Sequence, residues 1–138
     1  MKSILILVLA IFPFLASADS EPPRFLKLCY KDYVNAVAYP GKDSEKLSAD
    51  VRHRCLSNEF QAKWDGIVSV DGTGSDGLLL AQDYMESWKT EVSVRRNNKK
   101  DRSAEILLGK GAEEKCLFVN YAQVGKGLRI TAVSECRK

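Results

Sequence analysis

A chain of 138 residues with 21 basic and 18 acidic side chains, one histidine and a net charge of +3 is nearly balanced in charge. That balance argues against a nucleic-acid binder and against a strongly charged tail, and the length leaves room for one modest core.

The first elements set the compartment. Lys2 gives a short positive start, Ile4 to Leu15 is an apolar run, and Ala16-Ser17-Ala18 is an A-x-A cleavage site. The run is too short to span a bilayer comfortably, and no stop-transfer pattern follows. Residue 19 is aspartate, where bacterial lipid attachment would require cysteine. Residues 1–18 are therefore expected to be a signal peptide. Residues 19–138 are expected to be a single domain, periplasmic or secreted, with no membrane span or lipid anchor.

Pro22-Pro23 opens the first predicted helix, since proline is tolerated in a first turn. At helical periodicity Phe25, Leu26, Cys29, Tyr30, Tyr33, Ala36 and Val37 form one stripe, opposite Arg24, Lys27, Lys31, Asp32 and Asn35. Only Leu28 is out of place, and Tyr39-Pro40-Gly41 ends the helix. A second helix is expected from Ser48 as N-cap, with Leu47, Val51 and Cys55 facing inward. A third is expected after Ser57, with Phe60, Trp64, Ile67 and Val68 on its inner face.

A glycine-rich loop, Asp71 to Gly77, and a short helical turn within Leu78 to Ser87 lead into strands. Trp88, Thr90, Val92 and Val94 alternate with polar residues, as do Ala104, Ile106 and Leu108. Arg95, Arg96, Lys99, Lys100 and Arg102 make a basic hairpin tip between them. The last two strands flank Gly125-Lys126-Gly127. If that tripeptide is the loop, residues equally distant from Lys126 face each other, which sets Cys116 opposite Cys136, Phe118 opposite Ser134 and Asn120 opposite Ala132. Leu128, Ile130 and Ala132 are then expected on the Cys136 face. The architecture predicted is α+β, with N-terminal helices packed on a C-terminal four-stranded antiparallel curved sheet.

Four cysteines in an exported chain read as two disulfides, with several connectivities open from count alone. Cys116–Cys136 follows from the hairpin register. Cys29–Cys55 is the economical second pair, because both lie on apolar helix faces. Each bridge is worth about 3 kcal/mol by loop entropy. The separations are too wide for a zinc site, and neither metal nor cofactor is expected.

Other features carry little chemistry. His53, the only histidine, falls on the outer side of its helix and is expected to be solvated. Gly72-Thr73-Gly74-Ser75-Asp76-Gly77 matches a dinucleotide fingerprint, but a meander supplies no βαβ unit around it. As a calcium loop counted from Asp71, the twelfth position holds Gln82 where a bidentate glutamate is needed. Without a nucleophile, base and orienting acid near one another, no catalytic residues are predicted and an enzyme is not expected.

The segment Leu80-Ala81-Gln82-Asp83-Tyr84-Met85-Glu86-Ser87-Trp88, running on to Val92 and Val94, resembles the YbjP-type family of bacterial envelope domains of unknown function. That resemblance implies a cystatin-like or nuclear-transport-factor-like fold. The lipid-attachment cysteine of some members is missing here. In size, compartment and cysteine use the chain is also similar to periplasmic immunity proteins, which neutralise cell-wall-cleaving toxins delivered by type VI secretion.

The function expected is a non-catalytic periplasmic protein binder, either an immunity-type inhibitor or an envelope accessory protein. Its candidate contact residues are Arg95, Arg96, Lys99, Lys100 and Arg102. The alternative is a small-ligand or envelope-component binder with a pocket ringed by Tyr30, Tyr33, Trp64, Asp83 and Tyr84.

Overall fold

The computed structural model describes residues 21–71 and 76–138, and side chains among them except at 65–71. The expected signal peptide and most of the glycine-rich loop lie outside the described residues. Three helices, α1 (Pro22–Val37), α2 (Asp43–Cys55) and α3 (Asn58–Asp71), precede four strands. These are β1 (Val92–Asn98), β2 (Ser103–Leu108), β3 (Lys115–Val124) and β4 (Gly127–Glu135), paired antiparallel in the order β1-β2-β3-β4. The α+β class and the meander agree with the sequence pattern. Among the described residues no helix is long and apolar enough to cross a membrane.

Helix α1 buries Leu26, Cys29, Tyr30, Tyr33, Val34 and Ala36, close to the predicted stripe, while Leu28 stays exposed. The helix lies against β1 and the sheet interior, where Ala104, Ile106, Leu108, Leu117, Val119, Tyr121 and Ile130 are buried. Burying each large apolar side chain contributes roughly 1.5–3 kcal/mol.

Helix α2 starts at Asp43, not at Ser48. Its N-cap, Lys42, makes no side-chain cap, but Asp43 and Glu45 in the first turn and Arg52 and Arg54 in the last complement the helix dipole. Ser48 sits buried inside the helix and donates its hydroxyl to the Glu45 carbonyl at 3.0 Å, the other use a helical serine has. Leu47, expected to face inward, is exposed, because the inner face of α2 runs through Ser48, Val51 and Cys55 and leaves Leu47 at its edge. Ser57 caps α3, accepting from the Phe60 N–H at 3.2 Å. The Ser57 N–H in turn donates to the Ile130 carbonyl at 2.9 Å, tying the α2–α3 junction to the edge of β4.

Trp88 belongs to a short 3-10 turn, Glu86–Lys89, and β1 begins only at Val92. The indole is buried and donates to the Glu113 carbonyl at 2.7 Å, so the apparent alternation through Thr90 comes from a turn, not a strand.

Both disulfides form as expected, Cys29–Cys55 between α1 and α2, and Cys116–Cys136 across the last hairpin. Phe118 faces Ser134 and Asn120 faces Ala132. Nearer the turn the register differs from the expectation. Val124 pairs with Gly127, so the loop is the two residues Gly125-Lys126, with Gly125 at a φ of +60°. Tyr121 pairs with Ile130, leaving Thr131 as a bulge. The bulge turns Leu128 and Ile130 to the helix side and leaves Ala132, Ser134 and Cys136 on the other. The expectation that Leu128 and Ile130 share the Cys136 face is thereby corrected.

Candidate functional site on the open sheet face

All three helices lie on one side of the sheet. Strand alternation therefore aims every second residue at the opposite, open side. Three cross-strand rows can be read there: Asn98–Ser103–Asn120–Ala132, Arg95–Glu105–Phe118–Ser134, and Ser93–Leu107–Cys116–Cys136. The middle row and its neighbours line a concavity of about 560 Å³, formed by Arg96, Glu105, Phe118, Asn120, Ser134, Glu135 and Arg137. Phe118 is 36% exposed, an uncovered aromatic ring in polar surroundings.

Glu105 is the electrostatic centre of this face. It accepts from Arg95 Nε at 2.9 Å and lies 3.7 Å from the Arg96 guanidinium, and its side chain is largely covered. Two consecutive strand residues reach one partner only because β1 bulges. Arg96 and Asn97 together oppose Ala104, and Arg96 takes a φ of +53°, a conformation that favours glycine. Asn97 accepts from the Tyr121 hydroxyl at 2.8 Å.

The five basic residues singled out from the sequence thus divide. Arg95 and Arg96 lie in β1 and serve the open face, whereas Lys99, Lys100 and Arg102 are exposed in the turn beyond it. That turn is built by Asn98, whose side-chain oxygen accepts from the N–H groups of Lys100 and Asp101 at 3.1 and 3.2 Å.

The five candidate pocket residues divide as well. Tyr30, Tyr33 and Trp64 are core residues; Tyr33 and Trp64 meet edge to face at 6.3 Å. Asp83 and Tyr84 instead line a shallow cleft of about 240 Å³ with Val37, Asp76, Leu79, Ala81 and Gln82. Asp76 accepts from the Tyr33 hydroxyl at 2.5 Å and from the N–H groups of Leu78 and Leu79 at 2.8 and 2.9 Å. Burial raises the Asp76 carboxyl above its ordinary value, although these hydrogen bonds pull the other way. Burial and the charge on Asp76 likewise push the Tyr33 hydroxyl well up. Arg52 lies over the Trp64 ring at 5.2 Å, closing the inner end of this network.

The helix identity of α3 through Asp71 removes the strand that a dinucleotide fingerprint at 72–77 would need before it. Glu105, Cys116 and Cys136 come together on the open face, but both sulfurs are held in the disulfide. His53 is exposed.

Sequence reasoning missed Glu105, Phe118, Asn120, Ser134 and Arg137 as parts of one site. The only signal was Asn120 and Ser134 flanking Phe118 on a face set apart from Leu117, Val119 and Tyr121.

No known family model matches the chain, so the YbjP-type resemblance gains no support there. Nor does any curated protein match it significantly in sequence. Two solved structures share the fold. One is a protein of unknown function from Bacteroides thetaiotaomicron, with a TM-score of 0.63 and 21% identity, covering 79% of this chain and 85% of that one. The other is the type VI native effector-immunity complex Tae3-Tai3 from Ralstonia pickettii, with a TM-score of 0.63 and 16% identity, covering 80% of this chain and 93% of that one. At these identities the likeness is one of fold. The two disulfides fit an oxidising, extracytoplasmic compartment.

Proposed function

We propose that this protein is an exported, non-catalytic protein-binding domain of the immunity type, which holds a cell-wall-degrading effector inactive in the periplasm. The observation that carries the reading is the fold shared with a chain of an effector-immunity complex. That complex joins an effector to an immunity protein, and the shared fold belongs to one of its chains. The immunity half fits this protein better, because all four cysteines are in disulfides and the one histidine is exposed on α2. A hydrolase of the cysteine-histidine kind needs a free thiolate beside an oriented imidazole. The helices pack on one side of the sheet and leave the other free for a partner.

The test is a pull-down with the mature protein, offered periplasmic extract and the product of the adjacent gene. Recovery of one stoichiometric hydrolase whose activity falls on binding is the expected result. A protein that comes through alone, carrying a small molecule, would overturn the reading.

A further inference from the structure

We infer that the open sheet face takes an acidic loop of the partner protein, with an apolar side chain set on Phe118 and a carboxylate held by Arg96 and Arg137. The inference rests on the protein-binding reading above and adds to it the surface and the chemistry of the occupant.

Charge complementarity selects an acidic partner. The two carboxylates lining the concavity are already engaged, Glu105 by Arg95 and Arg96, and Glu135 by Lys115 at 3.5 Å. Arg137, on the rim of the same concavity, has no ion-pair partner among the described residues. Lys138, which lines the adjoining hollow with Arg137, is likewise without one among the described residues. The surface therefore carries unanswered positive charge around an exposed ring. A carboxylate brought there gains a bidentate guanidinium partner without stranding an acid of this chain.

The face is also built rather than incidental. Arg96 occupies a left-handed conformation that costs an ordinary side chain energy. What that conformation achieves is to turn Arg96 to the Arg95 side of the sheet, beside Phe118. A half-exposed aromatic ringed by polar groups is the usual form of an energetic anchor in a protein interface. A second copy of this chain is disfavoured as occupant, because it would bring like charges together.

The conformation of Arg96 supplies a clean variant. Arg96→Gly suits a φ of +53° and removes the guanidinium without straining the fold. Affinity for the hydrolase recovered by pull-down is measured by calorimetry for wild type, Arg96→Gly, Phe118→Ala, Arg137→Ala and the tip variant Lys99→Ala/Lys100→Ala. Each protein is first checked for unchanged circular dichroism and melting temperature. Phe118→Ala is expected to weaken binding by about tenfold or more. Arg96→Gly and Arg137→Ala are each expected to weaken it by about tenfold and to flatten its salt dependence. The tip variant is expected to stay within about threefold, because exposed rim charges affect mainly the on-rate.

If the hydrolase binds and the three face variants retain wild-type affinity, the inference falls while the protein-binding reading stands. The same holds if only the tip variant loses binding, or if the free protein is a dimer that Phe118→Ala dissolves. If no partner is recovered, the reading itself falls and this inference with it.

Discussion

Ile130 and Cys136 lie an even number of residues apart on one extended segment, yet they point to opposite sides of the sheet. Ile130 is fully buried against the helices, while Cys136 is bonded to Cys116 on the open side. Alternation alone forbids that arrangement, since residues of equal parity on a regular strand share a face. The bulge at Thr131 resolves it by inserting one unpaired residue between the Tyr121–Ile130 and Asn120–Ala132 pairs. One strand thereby serves the core at its start and the stapled open face at its end.

Deleting Thr131 should leave both ends in place, because Tyr121–Ile130 and Asn120–Ala132 then become successive pairs of a regular ladder. Ile130 and Leu128 should stay in the core and Cys136 on the open side, bonded to Cys116. Urea melts and non-reducing peptide mapping read both ends. Thr131→Gly keeps the extra residue and should cost only about 1 kcal/mol. A deletion variant that loses the Cys116–Cys136 bridge, or the roughly 1.5–3 kcal/mol of a core side chain, would contradict the parity argument.

The two disulfides should respond differently to reductant. Cys29 and Cys55 are buried in the core, whereas Cys116 and Cys136 are partly exposed on the open face. Thiolate attack needs access, so a limited dithiothreitol titration with alkylation should open Cys116–Cys136 first. Replacing either pair by alanine should cost about 3 kcal/mol for loops of this size, with an added cavity cost for the core pair. Earlier opening of Cys29–Cys55 would contradict the burial assigned to it.

These outcomes show where the sequence was readable. The stripe on α1 and the Ser57 cap report local physics, and local physics decides them. The disulfide end of the β3–β4 register was legible because Cys116 and Cys136 constrain each other. The turn end was not, because Gly125-Lys126-Gly127 suits either a two-residue or a three-residue loop and no residue type marks the bulge at Thr131. That one ambiguity hid the open face. With Leu128 and Ile130 placed beside Phe118, the phenylalanine reads as core, and Glu105 and Arg137 have no site to join. The start of α2 was obscured differently, since a serine that back-bonds to the preceding turn looks in sequence like a serine that caps.

Gly109 should tolerate no side chain. It takes a φ of +75°, and a Cβ there would lie 2.5 Å from Trp88 Cδ1 and 2.7 Å from Ser87 Oγ. The indole cannot easily retreat, because its Nε1 donates to the Glu113 carbonyl. Gly109→Ala should therefore combine roughly 1–2 kcal/mol of backbone strain with roughly 1–3 kcal/mol of overpacking. Gly125→Ala, at a φ of +60° with open space around it, should show only the strain. Chemical denaturation of the two variants makes the comparison, and equal losses would mean the Trp88 contact is not rigid.

Asp76 gives the fold a pH dependence whose sign is fixed by its surroundings. Burial raises its carboxyl above the ordinary 3.8, against the pull of Tyr33 and two backbone N–H groups. The native state thus binds this proton more readily than the unfolded chain does. The stabilisation it brings is fully present below 3.8 and is lost as the pH rises through the raised value. Other carboxylates also titrate in acid, so the comparison must be with Asp76→Asn, whose amide oxygen can still accept from the Leu78 and Leu79 N–H groups. The stability of wild type relative to this variant, from urea melts between about pH 3 and about pH 7, should fall as the pH rises. A relative stability that grows with pH would mean that the Tyr33 and backbone hydrogen bonds outweigh burial, leaving Asp76 a stabilised carboxylate at the inner end of the cleft.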